Sequence, residues 1–388
     1  MFETFKLHNY RGFSEFELTG LGRVNLLVGA NNSGKTSILE AVGLLASGGD
    51  LRRLWSSMRS RGEWIFHERT RGQETGLALP YLFHGYHVDL GSAITLEAQR
   101  SDGERVSSRL EVVVPPDEYP RQWRQGRNFR RRYADDGDGD GDRAELRPLL
   151  GCLDIKVDST VTQKLPISEG WGIALHDFID LTTARGGKTE EAVPVRIITT
   201  AAMAPDELVE IVDRIQLTEE ESHVLEALQI VDKRITQFRP TVARATNPQM
   251  FGFGANRYGV ILRLEGHPTV LPIGTLGDGA WRILGLALGL TAAKGGVLLV
   301  DEIDTGLHYT VMEKMWRLIL EMAERLDVQI FATSHSRDCY ESLAAIADPQ
   351  APERSRVTIQ RIEPARPRAV SFSEQDIINA AQRGIEVR

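Results

Sequence analysis

The sequence has few cysteines, no long uninterrupted apolar run and no excess of positive charge. Its 388 residues include only Cys152 and Cys339, far apart and without metal-ligand spacing. This argues against a disulfide scaffold and a zinc site, and favours a reducing cytoplasm. No positively charged lead with an apolar run follows Met1, so no signal peptide is expected. The longest apolar stretch, residues 281–300, is interrupted by an arginine, a lysine and several glycines, which excludes a membrane span.

The formal net charge of −8 gives no support to a protein whose whole surface binds nucleic acid. The apolar content of 41% is ordinary for a globular chain and permits a real core. A chain of 388 residues is long enough for two domains, or for one large domain with an insertion.

A phosphate-binding loop is the clearest motif. A compact apolar strand, "RVNLLVG", leads into it, and from Lys35 the apolar residues recur at helical spacing. Strand, glycine-rich turn and helix form the context that a Walker A motif requires, in which backbone N–H groups and the helix dipole hold phosphate. Lys35 would reach the β and γ phosphates, and Thr36 would hold Mg²⁺. The predicted nucleotide contacts are Gly29, Ala30, Asn31, Asn32, Ser33, Gly34, Lys35, Thr36 and Ser37.

A phosphate loop alone also suits a kinase or a GTPase, and residues 295–304, "GGVLLVDEID", separate these classes. Four apolar residues predict a buried strand with Asp301 at its end, a Walker B arrangement beside the Mg²⁺ water shell. Glu302 follows, and a carboxylate there can polarise the attacking water, which indicates hydrolysis. Because the guanine-reading Asn-Lys-x-Asp pattern is not found, adenine is favoured and ATP is the expected nucleotide.

Two further segments fit such a site. Residues 329–336, "QIFATSHS", predict another strand, with His335 at the end where a side chain can reach the γ-phosphate. Thr333 and Ser334 are alternative strand-end hydrogen bonders. Residues 275–290 predict a helix start with Asp278 as N-cap, and its N-terminus could face the phosphate of a second subunit.

The order of these motifs resembles the ABC-type ATPase heads of the SMC, RecF and OLD (overcoming lysogenization defect) group. Within that group it is most similar to bacterial OLD-like "AAA family ATPase" proteins. The residues that carry the resemblance are "NYRGF" (9–13), "GANNSGKTSILEAV" (29–42), "LGDGAWRILGLALGL" (276–290), "LLVDEIDTGLH" (298–308) and "ATSHS" (332–336).

The resemblance implies an α/β P-loop fold with a mixed sheet and a helical insertion. It divides the chain into an N-terminal part of the head at 1–90, an insertion at 91–245 with a flexible segment at 115–145, and a C-terminal part at 246–388. It also implies a head-to-head homodimer or a higher homo-oligomer, with ATP held between one Walker A loop and the signature helix of the other subunit. By resemblance, Gly277, Asp278 and Gly279 form that signature, Arg11 approaches the nucleotide, and residues 305–308 form the D-loop at the seam.

The sequence departs from the group's pattern in three places. Gly277-Asp278-Gly279 stands where Ser-Gly-Gly is expected, so a contact across the dimer would depend on backbone N–H groups. The D-loop carries His308 where transporters have aspartate. Gln73 and His84 lie in the stretch of the Q-loop, and neither is compelling. Binding within one subunit is therefore better supported than activation by the other.

OLD nucleases carry a C-terminal Toprim domain, which is domain-sized. The residues after Ser336 predict a helix, two strands and a capped helix that begins at Ser373, and these do not fit such a domain. A nuclease or toxin effector is therefore expected on a separate chain.

Other segments admit functional and plain interpretations. "RQWRQGRNFRRRY" (121–133) has the composition of a nucleic-acid-binding segment, but an aspartate-glycine run follows it, and a solvated flexible loop is favoured. The basic stretch from Arg52 to Arg71 is an alternative DNA contact. The aspartate run imitates a calcium loop, but Arg147 replaces its bidentate glutamate. Thr218 and Glu221 predict a capping box.

Three functions are compatible with these motifs and with the resemblance. The first is an ATPase that dimerises on ATP and switches a partner effector in phage defence or DNA repair. The second is a DNA-binding clamp like RecF, which DNA-stimulated hydrolysis would reveal. The third is a scaffold that holds ATP with little turnover.

Overall fold

The computed structural model describes residues 1–50, 54, 57–59, 61–69, 72–115, 150–167, 169–174, 193–199, 205–243, 257–347 and 356–387. The strands are β1 Phe2–Tyr10, β2 Phe13–Leu18, β3 Val24–Val28, β4 Trp64–Arg69, β5 Gly72–Ala78, β6 Ala93–Arg100, β7 Arg105–Val113, β8 Gly151–Val157, β9 Thr160–Ile167, β10 Gly172–Ala174, β11 Val195–Ile198, β12 Ile235–Ala243, β13 Arg257–Leu264, β14 Leu271–Pro272, β15 Val297–Val300, β16 Gln329–Thr333, β17 Val357–Arg361 and β18 Val370–Phe372. The helices are α1 Lys35–Ala46, α2 Pro205–Ile215, α3 Glu219–Gln229, α4 Asp278–Ala292, α5 Tyr309–Arg325, α6 Arg337–Ala344 and α7 Glu374–Gln382.

A six-stranded central sheet carries the predicted nucleotide motifs. Its order is β11-β15-β16-β3-β17-β18, and all neighbours pair in parallel except β17 and β18. Every residue of β3, β15 and β16 is buried, as expected for parallel strands covered on both faces. The Walker A strand and the Walker B strand are therefore separated by one strand, the one that leads to His335.

Strands β3, β15 and β16 send alternate side chains into two hydrophobic cores. Leu27, Leu299 and Phe331 pack into the core that contains α1 and the long antiparallel sheet. Leu26 and Ile330 face the other way, into the core formed with α2, α3, α4, α5, α6 and α7. This period-2 alternation explains why uninterrupted apolar runs such as "VLLV" lie in the middle of the molecule.

A second six-stranded sheet is antiparallel, in the order β2-β1-β6-β7-β8-β9. Its strands come from the first residues of the chain and from the predicted insertion at 91–245. The other described strands and helices of that stretch are β10, which pairs with β5, β11 at the edge of the central sheet, the helices α2 and α3, and β12, which pairs with β13. These described elements thus pack within the head, and the division into three segments stays a prediction.

The observed helix ends differ in part from the predicted ones. The capping box at Ser373 is present, with Asp376 as the reciprocal partner. Thr218 is the N-cap of α3, but its hydroxyl donates to the carbonyl of Ile215 at 2.6 Å. The Glu221 carboxylate accepts from the N–H of Leu217 at 2.8 Å instead of that of Thr218. The predicted capping box at Thr218 is therefore wrong.

Several sequence predictions concern residues that the structure does not describe. The arginine-rich stretch at 121–133, the aspartate-glycine run and Arg147 lie outside the described residues. Of the basic stretch from Arg52 to Arg71, Arg59 is exposed and Arg61 pairs with Glu40 at 2.9 Å. Within the described ranges, none of the helices combines the length and apolarity needed to cross a bilayer.

The two-core arrangement predicts the effect of removing one central side chain. Phe331 is fully buried against α1, and we expect Phe331→Ala to lower the free energy of unfolding by about 3–5 kcal/mol, because a large cavity remains. Leu217→Ala is the matched control, since Leu217 is 98% exposed and should change stability by less than about 0.5 kcal/mol. Urea unfolding followed by circular dichroism measures both, and equal midpoints would contradict the assigned core.

Candidate nucleotide site

The loop from Gly29 to Thr36 connects the end of β3 to the start of α1. Gly29, Asn32 and Gly34 have positive φ angles of 145°, 63° and 92°. A Cβ at Gly29 would lie 2.6 Å from the carbonyl oxygen of Ile362, and one at Gly34 would overlap the ring of Phe13. Both positions therefore require glycine, and the "NYRGF" segment packs directly on the loop.

The loop presents several polar groups suited to phosphate. Helix α1 begins after Gly34 without a side-chain cap, so the N–H groups of its first turn can receive an anion. The Ser33 hydroxyl is buried and has no hydrogen-bond partner among the described residues. Lys35 Nζ donates to the carbonyl oxygens of Gly29 and Ala30 at 2.9 and 2.8 Å. These groups fit a triphosphate.

Partial burial lowers the pKa of Lys35, while the carboxylates of Asp301 and Glu302 act in the opposite sense. Bound phosphate would add negative charge and raise this pKa again, which favours the charged ammonium in the complex.

Asp301 follows β15 and meets Thr36 across the sheet edge. The Thr36 hydroxyl lies 3.2 and 3.3 Å from the two carboxylate oxygens of Asp301. Hydroxyl and carboxylate oxygens are the donors that Mg²⁺ prefers. Among the described residues no group of three His, Cys, Asp or Glu side chains could hold a metal by itself. The donor set thus fits an ion that takes its other ligands from phosphate and water.

Glu302 occupies an unusual backbone conformation, with φ of 47°. Its N–H donates to the Thr333 hydroxyl at 2.8 Å, and that hydroxyl donates to Asp301 Oδ1 at 2.6 Å. The predicted role of Thr333 as a strand-end hydrogen bonder is confirmed. The Glu302 carboxylate is 41% exposed and accepts from the Thr305 hydroxyl at 3.2 Å. His335 Nδ1 lies 3.9 Å from Glu302 Oε1, so the structure brings these two predicted residues together.

The start of helix α4 lies beside residues 305–308. Gly277 is the N-cap, with φ of 85° and ψ of 178°, and Asp278 is the first helical residue. No side-chain cap bond forms, so the prediction of Asp278 as N-cap is wrong; the glycine conformation supplies the turn instead. A Cβ at Gly279 would lie 3.3 Å from the carbonyl oxygen of Gly306. The segments predicted as signature and D-loop therefore touch within one chain.

Arg11 is buried and engaged with carboxylates. Its guanidinium lies 2.8 Å from Glu40 of α1 and 2.7 Å from Glu63. Desolvation by burial, reinforced by the charge of Glu40, raises the pKa of the adjacent Tyr10 phenol well above its ordinary value, so the phenol stays neutral. Contact of Arg11 with a nucleotide stays a prediction.

The Q-loop candidates have different surroundings. His84 Nδ1 lies 3.2 Å from the carbonyl oxygen of Arg11. The structure describes only the backbone of Gln73, within β5. Neither is assigned a role by these contacts.

Sequence reasoning missed Arg282. This side chain is 4% exposed and hydrogen-bonds the backbone carbonyls of Thr199, Asp301, Glu302 and Ile303. The available signal was an arginine within the apolar helix "WRILGLALGL", which needs buried partners.

Comparison with known proteins places this site in a family. Residues 24–338 match the family described as "AAA domain, putative AbiEii toxin, Type IV TA system". The SMC head in "Crystal structure of the SmcHead bound to the C-winged helix domain of ScpA" is similar, with a TM-score of 0.52 and 13% identity over 96% of this chain and 98% of that one. These matches confirm the predicted α/β fold of an ABC-type ATPase head and the predicted P-loop ATPase domain.

Two curated relatives are similar to different extents. "DNA replication and repair protein RecF" of Magnetococcus marinus is 31% identical over 137 residues, 33% of this chain and 34% of that protein. "ATP/GTP phosphatase" of Helicobacter pylori is 20% identical over 360 residues, 88% of this chain and 87% of that protein.

A third relative, "Uncharacterized protein MJECL10" of Methanocaldococcus jannaschii, is 47% identical over 47 residues, 12% of this chain and 22% of that protein. The chain thus spans about a fifth of the length of MJECL10 and about a third of the length of this RecF. The narrower OLD-like resemblance stays a prediction.

The packing of Phe13 on the loop predicts a loss of nucleotide binding in Gly34→Ala. The added methyl group would overlap the Phe13 ring, and the φ of 92° is unfavourable for alanine. We expect ATP affinity, measured by titration calorimetry, to fall at least about tenfold, equivalent to about 1.4 kcal/mol. Gly295→Ala is the control, because Gly295 has φ of 71° and open space around it. Equal losses in the two variants would show that backbone strain, and not this contact, governs binding.

Proposed function

The chain belongs to the AAA-domain family that its residues 24–338 match, and from that premise we propose that the protein is an ATP-driven switch. Two copies would close on ATP, and hydrolysis would open them again. The observation that carries the proposal is the convergence of Lys35, Thr36, Asp301, Glu302 and His335 at the ends of three adjacent parallel strands.

Each residue has a proposed task in hydrolysis. The loop from Gly29 to Ser37 would hold the phosphates, with Lys35 at the β and γ groups. Thr36 and Asp301 would hold Mg²⁺, which neutralises phosphate charge when bound. Glu302 is the proposed general base for the attacking water, and His335 is the proposed γ-phosphate sensor. The 3.9 Å separation of His335 and Glu302 supports a shared site for these two tasks.

Features of the surface beside the site support closure of two copies. The N-terminus of α4 is accessible, since Gly277 and Asp278 are exposed. Its first N–H groups have no side-chain cap and could receive the phosphate of a second subunit. The rings of His308 and Tyr309 lie against each other, tilted by 41° with centroids 4.4 Å apart, and Tyr309 is 60% exposed. An exposed aromatic pair next to the proposed D-loop suits a seam that is buried only in the dimer.

A separate effector is the proposed recipient of the signal. The family description names a toxin of a Type IV toxin–antitoxin system, and the similar SMC head is bound to a domain of a second protein, ScpA. The net charge of −8 favours a protein partner over nucleic acid. We therefore infer a nuclease or toxin whose activity follows the open and closed states, in phage defence or DNA repair.

Two other functions have specific support. The likeness to RecF favours a DNA-binding clamp, for which DNA should stimulate hydrolysis. The Gly277-Asp278-Gly279 sequence, without a serine, favours a scaffold that holds ATP with slow, DNA-insensitive turnover.

Light scattering on the wild-type protein and Glu302→Gln, with and without Mg-ATP, tests the switch. The amide cannot accept the proton of water, so we expect turnover to fall at least about a hundredfold, consistent with loss of a general base. The variant should accumulate an ATP-dependent dimer that the wild-type protein forms only transiently. Glu313→Gln is the control, because Glu313 pairs with Arg317 on the exposed face of α5.

A mass unchanged by ATP in both proteins, with ATP binding verified separately, would contradict closure. A parallel run with duplex DNA separates the alternatives. DNA-stimulated hydrolysis would favour the clamp, and slow DNA-insensitive hydrolysis in the wild-type protein would favour the scaffold.

A further inference from the structure

Arg282 is a buried cation held by backbone carbonyl groups. Its NH1 donates to Thr199 O at 2.8 Å, and its NH2 donates to Asp301 O at 2.8 Å and Glu302 O at 2.5 Å. Nε donates to Ile303 O at 3.4 Å. The planar guanidinium thus gathers three successive carbonyls of the Walker B turn, a geometry that the single nitrogen of a lysine cannot reproduce.

The environment keeps this cation in place despite its burial. Desolvation lowers the pKa of Arg282, and the nearby carboxylates of Asp304, Asp301 and Glu302 oppose that effect. An arginine remains protonated in proteins. Its charge therefore also offsets the concentration of negative charge at the end of β15.

The turn that Arg282 holds contains the proposed general base. Glu302 has φ of 47°, a conformation that costs a non-glycine residue free energy and persists only where its surroundings impose it. Its N–H is fixed by the Thr333 hydroxyl at 2.8 Å, and its carbonyl is fixed by Arg282. Both polar groups of the residue's backbone are thus held by side chains from other elements, which sets the direction of its carboxylate.

Arg282 also lies in the second turn of α4, close to the exposed start of that helix. A Cβ at Gly306 would lie 3.4 Å from Asp278 Cβ, and one at Gly279 would lie 3.3 Å from Gly306 O. The helix start, the turn at 301–303 and the loop after it therefore form one contiguous unit. Movement of the helix start would be passed to Glu302 through the guanidinium.

We propose that Arg282 is a positioning residue that fixes Glu302 for hydrolysis and links it to the helix start where the nucleotide of a second subunit would bind. The inference rests on the proposed role of Glu302 as base. Arg282 acts through the backbone of Glu302 and Asp301, and binding of ATP to the loop at 29–36 does not require it.

The first test measures kcat and KM of Arg282→Lys and Arg282→Gln. Because a misplaced base slows the chemical step, we expect kcat to fall about 10- to 100-fold while KM and the Kd for ATP stay within about twofold. Arg282→Lys keeps the charge and should lose less than Arg282→Gln. It also keeps the test valid if the glutamine variant does not fold, as judged by circular dichroism.

The matched control is Arg23→Gln. Arg23 also donates to backbone carbonyls, those of Ala323 and Val328 at 3.1 and 3.3 Å, but it lies at the opposite end of β3 from the loop. Its loss should leave kcat within about twofold, in line with additivity of distant sites. An equal fall of kcat in Arg23→Gln and Arg282→Gln would show that the effect of losing Arg282 is general destabilisation of the protein. That result would overturn the proposal.

The second test combines Arg282→Lys with Glu302→Gln in single-turnover hydrolysis. If Arg282 acts through Glu302, the double variant should be no slower than Glu302→Gln alone. A further loss equal to that of Arg282→Lys in the wild-type background would show independent action and overturn the inference. Wild-type turnover in Glu302→Gln would instead contradict the base assignment, so the two failures are distinguishable.

Discussion

Strand β16 pairs in parallel with β3 on one side and with β15 on the other. This pairing brings the phosphate loop, Thr333 and Asp301 to the same edge of the sheet, because parallel strands end on the same side. The Thr333 hydroxyl then connects Asp301 with the N–H of Glu302. A slip of one residue in either pairing would send these side chains to the opposite face, and the apolar alternation of Ile330 and Phe331 between two cores opposes such a slip.

Negatively and positively charged side chains lie close together at this edge of the sheet. Asp301 and Glu302 supply negative charge beside Lys35 and Arg282. Burial lowers the pKa of Lys35. The guanidinium of Arg282 is held by backbone carbonyl groups. Lys35 is bound to loop carbonyls that a phosphate could replace as its partner. The half-exposed carboxylate of Glu302 faces the same side as His335. This arrangement suits hydrolysis of a phosphoanhydride such as the β–γ bond of ATP.

The sequence was most informative where the structure is determined locally. The strand before the phosphate loop, helix α1 and strands β15 and β16 were predicted, because short apolar runs and glycines settle their conformation within a few residues. The capping prediction at Thr218 failed because the positive φ of 65° at Leu217 turns a different N–H toward Glu221. The prediction of Asp278 as N-cap was wrong because Gly277 occupies the N-cap position and supplies the turn.

The pairing of strands that lie far apart in the sequence could not be predicted from local patterns. Nothing in the spacing of β6 indicates that it pairs with β1, the first strand of the chain, or that β7 then pairs with β6. The role of Arg282 likewise depends on Thr199, distant in sequence, and on a turn that only the sheet positions. The side chains that meet at the site could thus be predicted from contiguous motifs, whereas the elements that hold them in place could not.

The central claim is that ATP closes two copies with the helix start of one on the nucleotide of the other. Cross-linking of mixed subunits tests it most directly, with Asn31→Cys in one copy and Asp278→Cys in the other, both exposed positions. The native Cys152 and Cys339 are buried and should not react. We predict a heterodimer cross-link with a short bismaleimide in the presence of Mg-ATP, and little without nucleotide. Equal cross-linking with and without ATP, when ATP binding to both subunits is intact, would contradict closure on the nucleotide.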